Sequence, residues 1–307
     1  MIRILQGDCR DILATLPEQS IQCCVTSPPY FGLRDYGVDG QIGLEKTPDE
    51  YVAEMVAVFR DVRRVLRDDG VLWLNLGDSY ASTTKGTGGA SKKQISNSGA
   101  FFAPRKFNAG SAKEKDLIGI PWMVAFALRA DGWYLRSEVI WAKPNPMPES
   151  VTDRPTKAHE QVFLLSKSAR YFYDAEAIRE DAAPWNSSVG FNVEGQSKRN
   201  KEGRIGRRDD VEQTGRNART IWTIATQPFS GAHFATMPPD LAERCILAGS
   251  VKGHTVLDPF GGAGTTALVA DRLQRDAIIC ELNPEFAAMA KDRIEGDGGM
   301  LVRVVTQ

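Results

Sequence analysis

Short apolar runs punctuated by turn residues recur along the chain. Ile2-Arg3-Ile4-Leu5 closes at Gly7-Asp8, and Ile21 to Thr26 closes at two prolines. Both predict β-strands. From Pro48 to Leu66 the period changes. Tyr51, Met55, Val56, Phe59, Val62 and Leu66 recur at helical spacing, with Thr47 placed as N-cap and Pro48 at the first helical position. Asp69-Gly70 reads as the end of that helix, and Val71 to Leu76 as a third strand. Further on, the pattern predicts helices over 121–130, 239–248, 265–273 and 284–294. It predicts strands over 138–142, 161–166, 255–257 and 277–280, and another over 300–305 whose partner it does not indicate. Strands alternating with helices predict an α/β fold: a doubly wound, mostly parallel sheet covered on both faces.

Two stretches break the pattern. Residues 81–115 are rich in Ser, Gly, Lys and Asn and carry Lys92, Lys93, Arg105 and Lys106 around the aromatic island Phe101, Phe102 and Phe107. Residues 182–219 carry Lys198, Arg199, Arg207 and Arg208. Both read as long basic loops inserted into a compact fold. The whole chain of 307 residues has a net charge of −1, so any attraction for a polyanion is local to these insertions. The five cysteines form no C-x-x-C pair and sit mostly in apolar contexts, which reads as buried free thiols in a reducing cytoplasm and gives no zinc site. No signal peptide and no membrane-length apolar run stands out.

Two loops carry candidate chemistry. Thr26-Ser27-Pro28-Pro29-Tyr30 follows a strand, and neither proline can continue a ladder or enter a helix interior. The strand therefore ends in a rigid turn with a hydroxyl at one end and a ring at the other. The second loop is Asp258-Pro259-Phe260-Gly261-Gly262-Ala263-Gly264-Thr265-Thr266, placed between a strand and a helix. The next strand ends in Glu281, about 20 residues on, which is the spacing of a nucleoside site at the carboxyl edge of a sheet. The glycines let backbone approach a ligand and the acid suits ribose hydroxyls. There is no Gly-Lys-Ser/Thr, which excludes a Walker phosphate loop. The glycine spacing alone leaves a nicotinamide dinucleotide site or a plain structural turn open.

Taken together, the two loops resemble a known family. The second is similar to the S-adenosylmethionine motif of amino-methylating DNA methyltransferases, and Ser27-Pro28-Pro29-Tyr30 to their catalytic S-P-P-Y motif. The catalytic motif comes first, as in the circularly permuted beta group. Further likenesses are Gly7-Asp8, the segment Arg64 to Trp73, Trp141-Ala142-Lys143, His159-Glu160, and His233 to Pro238. The likeness spans nearly the whole chain except the two basic loops.

The resemblance implies a Rossmann-like, seven-stranded-type permuted sheet with basic insertions. It divides the chain into 1–80 and 116–175 as the catalytic half, 81–115 as a basic loop, 176–220 as a target-recognition insertion, and 221–307 as the cofactor half. S-adenosylmethionine would be held by Asp258, Pro259, Phe260, Gly261, Gly262, Gly264, Thr265, Thr266 and Glu281, with Asp8 and His233 nearby. Asp8 has a capping role as its alternative. The partner would be double-stranded DNA, from which the target base is flipped at a cost of a few kcal/mol. A homodimer and a restriction-modification system are compatible with this. The basic residues named above would contact phosphates. Ser27 and the Pro28 carbonyl would accept from the target amine, and Tyr30 would offer its ring for stacking, a role phenylalanine could fill. Serine in the first position implies cytosine N4 as the target, with adenine N6 as the alternative. Methylation at carbon 5 needs a nucleophilic cysteine after proline, and Cys23 and Cys24 lie before the prolines.

Overall fold

The computed structural model describes residues 1–81, 110–181, 215–227, 237–298 and 303–306. Among these residues the chain forms β1 (Ile2–Gln6), α1 (Cys9–Thr15), β2 (Ile21–Thr26), α2 (Pro48–Val65), β3 (Leu66–Leu76), α3 (Ile120–Ala130), β4 (Tyr134–Ala142) and β5 (His159–Ser166). Then follow β6 (Ile221–Thr223), α4 (Pro239–Gly249), β7 (Thr255–Asp258), α5 (Thr265–Arg272), β8 (Asp276–Glu281), α6 (Pro284–Gly298) and β9 (Val304–Thr306). The nine strands form one sheet in the order β6-β4-β5-β3-β2-β7-β8-β1-β9. Every pairing is parallel except those of β5 with β3 and with β4.

Alternation along the central strands explains the layers. Cys23 and Val25 of β2 point into a core shared with Leu241 and Cys245 of α4, Leu268 of α5 and Ala287 of α6. Cys24 points the other way, as does Ile21 across the irregularity that separates it from Cys23, into a core with Leu13 of α1, Met55 and Phe59 of α2, and Val124 of α3. Successive strand residues face opposite sides, so both faces need an apolar cover. All five cysteines are buried and free. Burial pushes the Cys9 thiol up to about 12, and it raises Cys23 and Cys24 as well.

The expected elements are present, with instructive differences. Helix α2 begins as expected, with Thr47 accepting from Glu50 in a full capping box. It stops at Val65, short of Asp69-Gly70. Leu66 is fully buried and already extended, and it pairs with Ile21 of β2. Helix α1 is an addition to the expected elements, too short at seven residues to show a period. The C-terminal strand finds its partner in β1, which lies between β8 and β9. No helix among the described residues is long and apolar enough to cross a membrane.

Candidate active site

Five parallel strands, β3, β2, β7, β8 and β1, end at one edge of the sheet. The two candidate loops leave this edge from adjacent strands: β2 pairs with β7 through Cys23↔Val256 and Cys24↔Leu257. Chain segments more than two hundred residues apart are thereby placed side by side.

A buried carboxylate ties them together. Thr26 Oγ1 donates to Asp258 Oδ1 at 2.6 Å, Thr266 Oγ1 donates to Oδ2 at 2.8 Å, and the Phe260 N–H donates to Oδ1 at 3.0 Å. Asp258 is only 4% exposed. Burial raises its pKa, and the three hydrogen bonds oppose that rise. Its carboxylate therefore organises the loop from beneath. The Thr265 and Thr266 hydroxyls are likewise engaged within the protein: Thr265 accepts from Arg293, and Thr266 Oγ1 also lies 3.3 Å from the Val25 carbonyl oxygen.

The rest of the glycine loop forms an open shelf. Gly261 passes so close to β8 that a Cβ would lie 2.9 Å from the Ile279 side chain, and its N–H donates to the Cys280 carbonyl. Gly262 has φ +51°, with open space where a Cβ would stand. Gly264, left-handed at φ +74°, caps α5 against Ala290 of α6. Pro259 is buried, while Phe260 is half-buried against the α1–α3 core. Glu281 ends β8. Its Oε2 accepts from the Gly262 N–H at 2.7 Å and its Oε1 from the Asn283 N–H at 2.8 Å. Burial raises its pKa against those two bonds. Asp8 lies at the end of β1 beside Glu281's strand, but its side chain caps α1 through the Arg10 N–H and is gripped by the Arg10 guanidinium. That guanidinium holds its carboxyl below the usual range. The capping role is observed.

The catalytic-motif loop is clamped from several sides. Tyr51 of α2 donates to the Pro29 carbonyl at 2.9 Å, and Gly43 packs on Pro29 at φ +102°. Ser27 and Tyr30 are half-buried, and Pro28 is buried. The Tyr30 ring lies against Gly77, where a Cβ would stand 2.4 Å from Cε2. Only glycine fits there.

Beneath this loop lies a polar cluster that sequence reading did not assemble. Tyr30 Oη donates to Glu160 Oε2 at 2.6 Å, and Ser27 Oγ donates to Tyr30 Oη at 3.4 Å. Asn75 Nδ2 lies 2.9, 3.0 and 3.3 Å from Tyr30 Oη, Glu160 Oε2 and Ser27 Oγ, and its two protons are shared among these three acceptors. Lys143 Nζ forms an ion pair with Glu160 Oε1 and lies 4.3 Å from the Trp141 ring centroid. Lys157 Nζ donates to the Asp78 carbonyl, and burial lowers its pKa. Burial, and then Glu160, raise the Tyr30 pKa well above the ordinary value. Lys143 and Glu160 lie in the segments Trp141-Ala142-Lys143 and His159-Glu160, which the sequence marked only as family likenesses. Asn75 had a weaker signal, a lone amide in an otherwise apolar strand. His159 is exposed and outside the cluster.

The DNA-contact candidates Lys92, Lys93, Arg105, Lys106, Lys198, Arg199, Arg207 and Arg208, and the cofactor candidate His233, lie outside the described residues.

A mostly parallel α/β sheet with a glycine shelf, an acid one strand over, and a rigid hydroxyl-bearing loop on the neighbouring strand defines the methyltransferase class. The chain belongs to the N6/N4 DNA methylase family, whose profile matches residues 21–292. It is 45% identical over 301 residues to the type II methyltransferase M.Cfr9I of Citrobacter freundii, covering 98% of this chain and 90% of that one. It is 46% identical over 294 residues to M.SmaI of Serratia marcescens, covering 95% and 90%. Among solved structures, a candidate DNA modification methylase from Thermus thermophilus, complexed with S-adenosyl-L-methionine, shares the fold. Its TM-score is 0.64 at 24% identity, covering 100% of this chain and 98% of that one. The PvuII DNA methyltransferase, named as cytosine-N4-specific, does so with a TM-score of 0.63 at 20% identity, covering 94% and 85%.

Proposed function

We propose that this DNA methyltransferase transfers a methyl group from S-adenosylmethionine to the exocyclic N4 amine of cytosine in double-stranded DNA. The single observation that carries the reading is the Thr26–Asp258 bond, which joins the hydroxyl-bearing loop to the glycine shelf. S-adenosylmethionine supplies an electrophilic sulfonium methyl. The residues present fit it. Gly262 leaves open space above the shelf. Glu281 uses one acceptor position on each oxygen for backbone N–H groups. A carboxylate has about four such positions, so others remain for ribose hydroxyls. Gly261, Gly264 and Phe260 shape the shelf, while Asp258, Pro259, Thr265 and Thr266 hold it in place.

An exocyclic amine is a poor nucleophile because its lone pair is delocalised into the base. Ser27 Oγ and the Pro28 carbonyl accept its N–H bonds, which favours the tetrahedral amine. The clamped prolines preorganise those acceptors. The Tyr30 ring, backed by Gly77, offers a platform to the flipped base. Serine at the head of the motif favours cytosine over adenine. Catalytic motif first and cofactor motif last support the permuted beta-group assignment. Phosphate contacts fall to the basic stretches, with 176–220 as the target-recognition insertion.

The test is digestion of DNA treated with enzyme and donor, with mass identification of the methylated nucleoside. N4-methylcytosine is expected, and N6-methyladenine would overturn the reading of Ser27. Ser27→Ala should keep its fold and cofactor affinity while methyl transfer falls about 10²–10³-fold. Full activity in that variant would refute the mechanism.

A further inference from the structure

Amine methylation releases a proton, and the cluster beneath Ser27 offers a path for it. This inference rests on the proposed reaction at Ser27. When the amine nitrogen bonds to the methyl carbon, the carbon–sulfur bond breaks with its electron pair leaving on sulfur. The nitrogen is then left with one proton in excess. A neutral serine hydroxyl can take that proton only if it passes its own onward.

The hydrogen bonds already run in that direction. Ser27 donates to Tyr30, and Tyr30 donates to Glu160. Asn75 meets the cluster through its amide nitrogen, which has two protons to share and no acceptor, so no relay proton passes to it. Ser27 Oγ thus keeps a lone pair free to accept from a base above it. The Ser27–Tyr30 link is long at 3.4 Å, and catalytic hydrogen bonds often tighten only when substrate binds.

We propose that Glu160, held by Lys143, is the positioning residue at the inner end of a Ser27–Tyr30–Glu160 proton relay and receives the proton released from the target amine. One proton moves from the amine to Ser27 Oγ, the serine proton moves to Tyr30 Oη, and the tyrosine proton moves to Glu160 Oε2. Glu160 becomes a neutral acid and later returns its proton to solvent. The groups facing Glu160 are Tyr30 from the catalytic loop, Asn75 from β3, Lys143 from the end of β4 and Lys157 from the connection between β4 and β5. Asp78 enters through its carbonyl bond to Lys157. Lys143 pairs with the other carboxylate oxygen, Oε1, and leaves Oε2 to Tyr30 and Asn75. Burial and the charge of Glu160 together disfavour a resting tyrosinate. Tyr30 therefore passes a proton through without holding the charge.

The test is single-turnover methyl transfer across pH with the wild-type chain, Glu160→Gln, Tyr30→Phe and the double variant, alongside cofactor affinity. A wild-type chain that methylates no DNA base would sink the proposed function itself. Given methylation, the wild-type rate should fall on the acid side, because the relay needs a charged acceptor at its inner end. Glu160→Gln should transfer about 10²-fold more slowly, within the range of general acid–base effects, lose that acid limb, and bind cofactor as before. Tyr30→Phe should show the same loss, and the double variant should be no slower than either single one. An acid limb that persists in Glu160→Gln, a near wild-type rate in either single variant, or losses that multiply in the double would overturn the relay. If Glu160→Gln does not fold, the rate and acid limb of Tyr30→Phe decide.

Discussion

Thr26→Val tests the link between the two loops. Valine matches threonine in shape, and position 26 is fully buried, so the change removes a donor with little loss of packing. The donor lost is the 2.6 Å hydrogen bond to Asp258 Oδ1. A hydrogen bond to a charged group contributes roughly 1.5–3 kcal/mol. Asp258 keeps Thr266 and the Phe260 N–H, so the effect should stay within that range. For a chain of this size that corresponds to a fall of roughly 2–5 °C in Tm.

The pH dependence makes the test specific. Burial raises the folded-state pKa of Asp258 above its ordinary value, and the Thr26 bond acts against that rise. A raised carboxyl favours the folded state at low pH, and that contribution is lost as pH rises through the folded pKa. Thr26→Val should raise the folded pKa further. Its destabilisation should therefore be largest near neutrality and shrink on acidification as Asp258 becomes neutral. Differential scanning calorimetry across pH measures this. Methyl transfer should also fall, about ten- to a hundredfold, because Ser27 follows directly and small misplacements of reacting groups are costly. Wild-type stability at neutral pH, or a loss that does not shrink in acid, would refute the linchpin role of Asp258.

Gly77→Ala should displace the Tyr30 ring, because a Cβ there would stand 2.4 Å from Cε2. We expect a folded chain with normal cofactor affinity and transfer slower by up to about 10²-fold, the cost of misplacing a reacting group by about 1 Å, and an unchanged rate would mean the ring need not sit there. Glu281→Gln should weaken S-adenosylmethionine binding about ten- to a hundredfold, the value of one charge-assisted hydrogen bond, as read by calorimetry. Unchanged affinity would remove Glu281 from the cofactor site. Neutralising Lys92, Lys93, Arg105 and Lys106 should weaken DNA binding and flatten its salt dependence while leaving cofactor affinity alone. An unaltered salt slope would make that stretch plain surface.

Local pattern carried the architecture well, because each strand and helix announces itself by its own period. The capping box at Thr47 and Glu50, the strand at Ile21–Thr26, and the glycine turn before α5 are all written in neighbouring residues. Short or weakly periodic pieces were not. Helix α1 is too short for a period to show, and the early end of α2 depends on Leu66 pairing with Ile21 from another strand. The two functional loops were legible as motifs, but the roles of their residues were only partly so. Asp258 and Thr266 carry a cofactor motif by sequence, yet their polar atoms face inward and hold the loop to β2.

Tyr30 shows most clearly what pattern cannot supply. A ring beside two prolines reads as a stacking platform, for which phenylalanine would serve as well. The fold gives its hydroxyl a second task, bonded to Glu160 and Asn75, residues 130 and 45 positions away in the chain. Those partners lie on β5 and β3, and only the strand order β5-β3-β2 brings them beneath the loop. The antiparallel β5 matters here. Running against its neighbours, it places the start of the strand, and so Glu160, at the edge where β2 and β3 end, since Gln161 pairs with Leu76. A parallel strand in that position would bring its last residues to this edge, and Glu160 would lie at the opposite one. The reversal of this one strand is therefore what allows an acid to stand under the Ser27–Tyr30 loop, and under the proposed relay it explains why replacing Tyr30 with phenylalanine should be damaging.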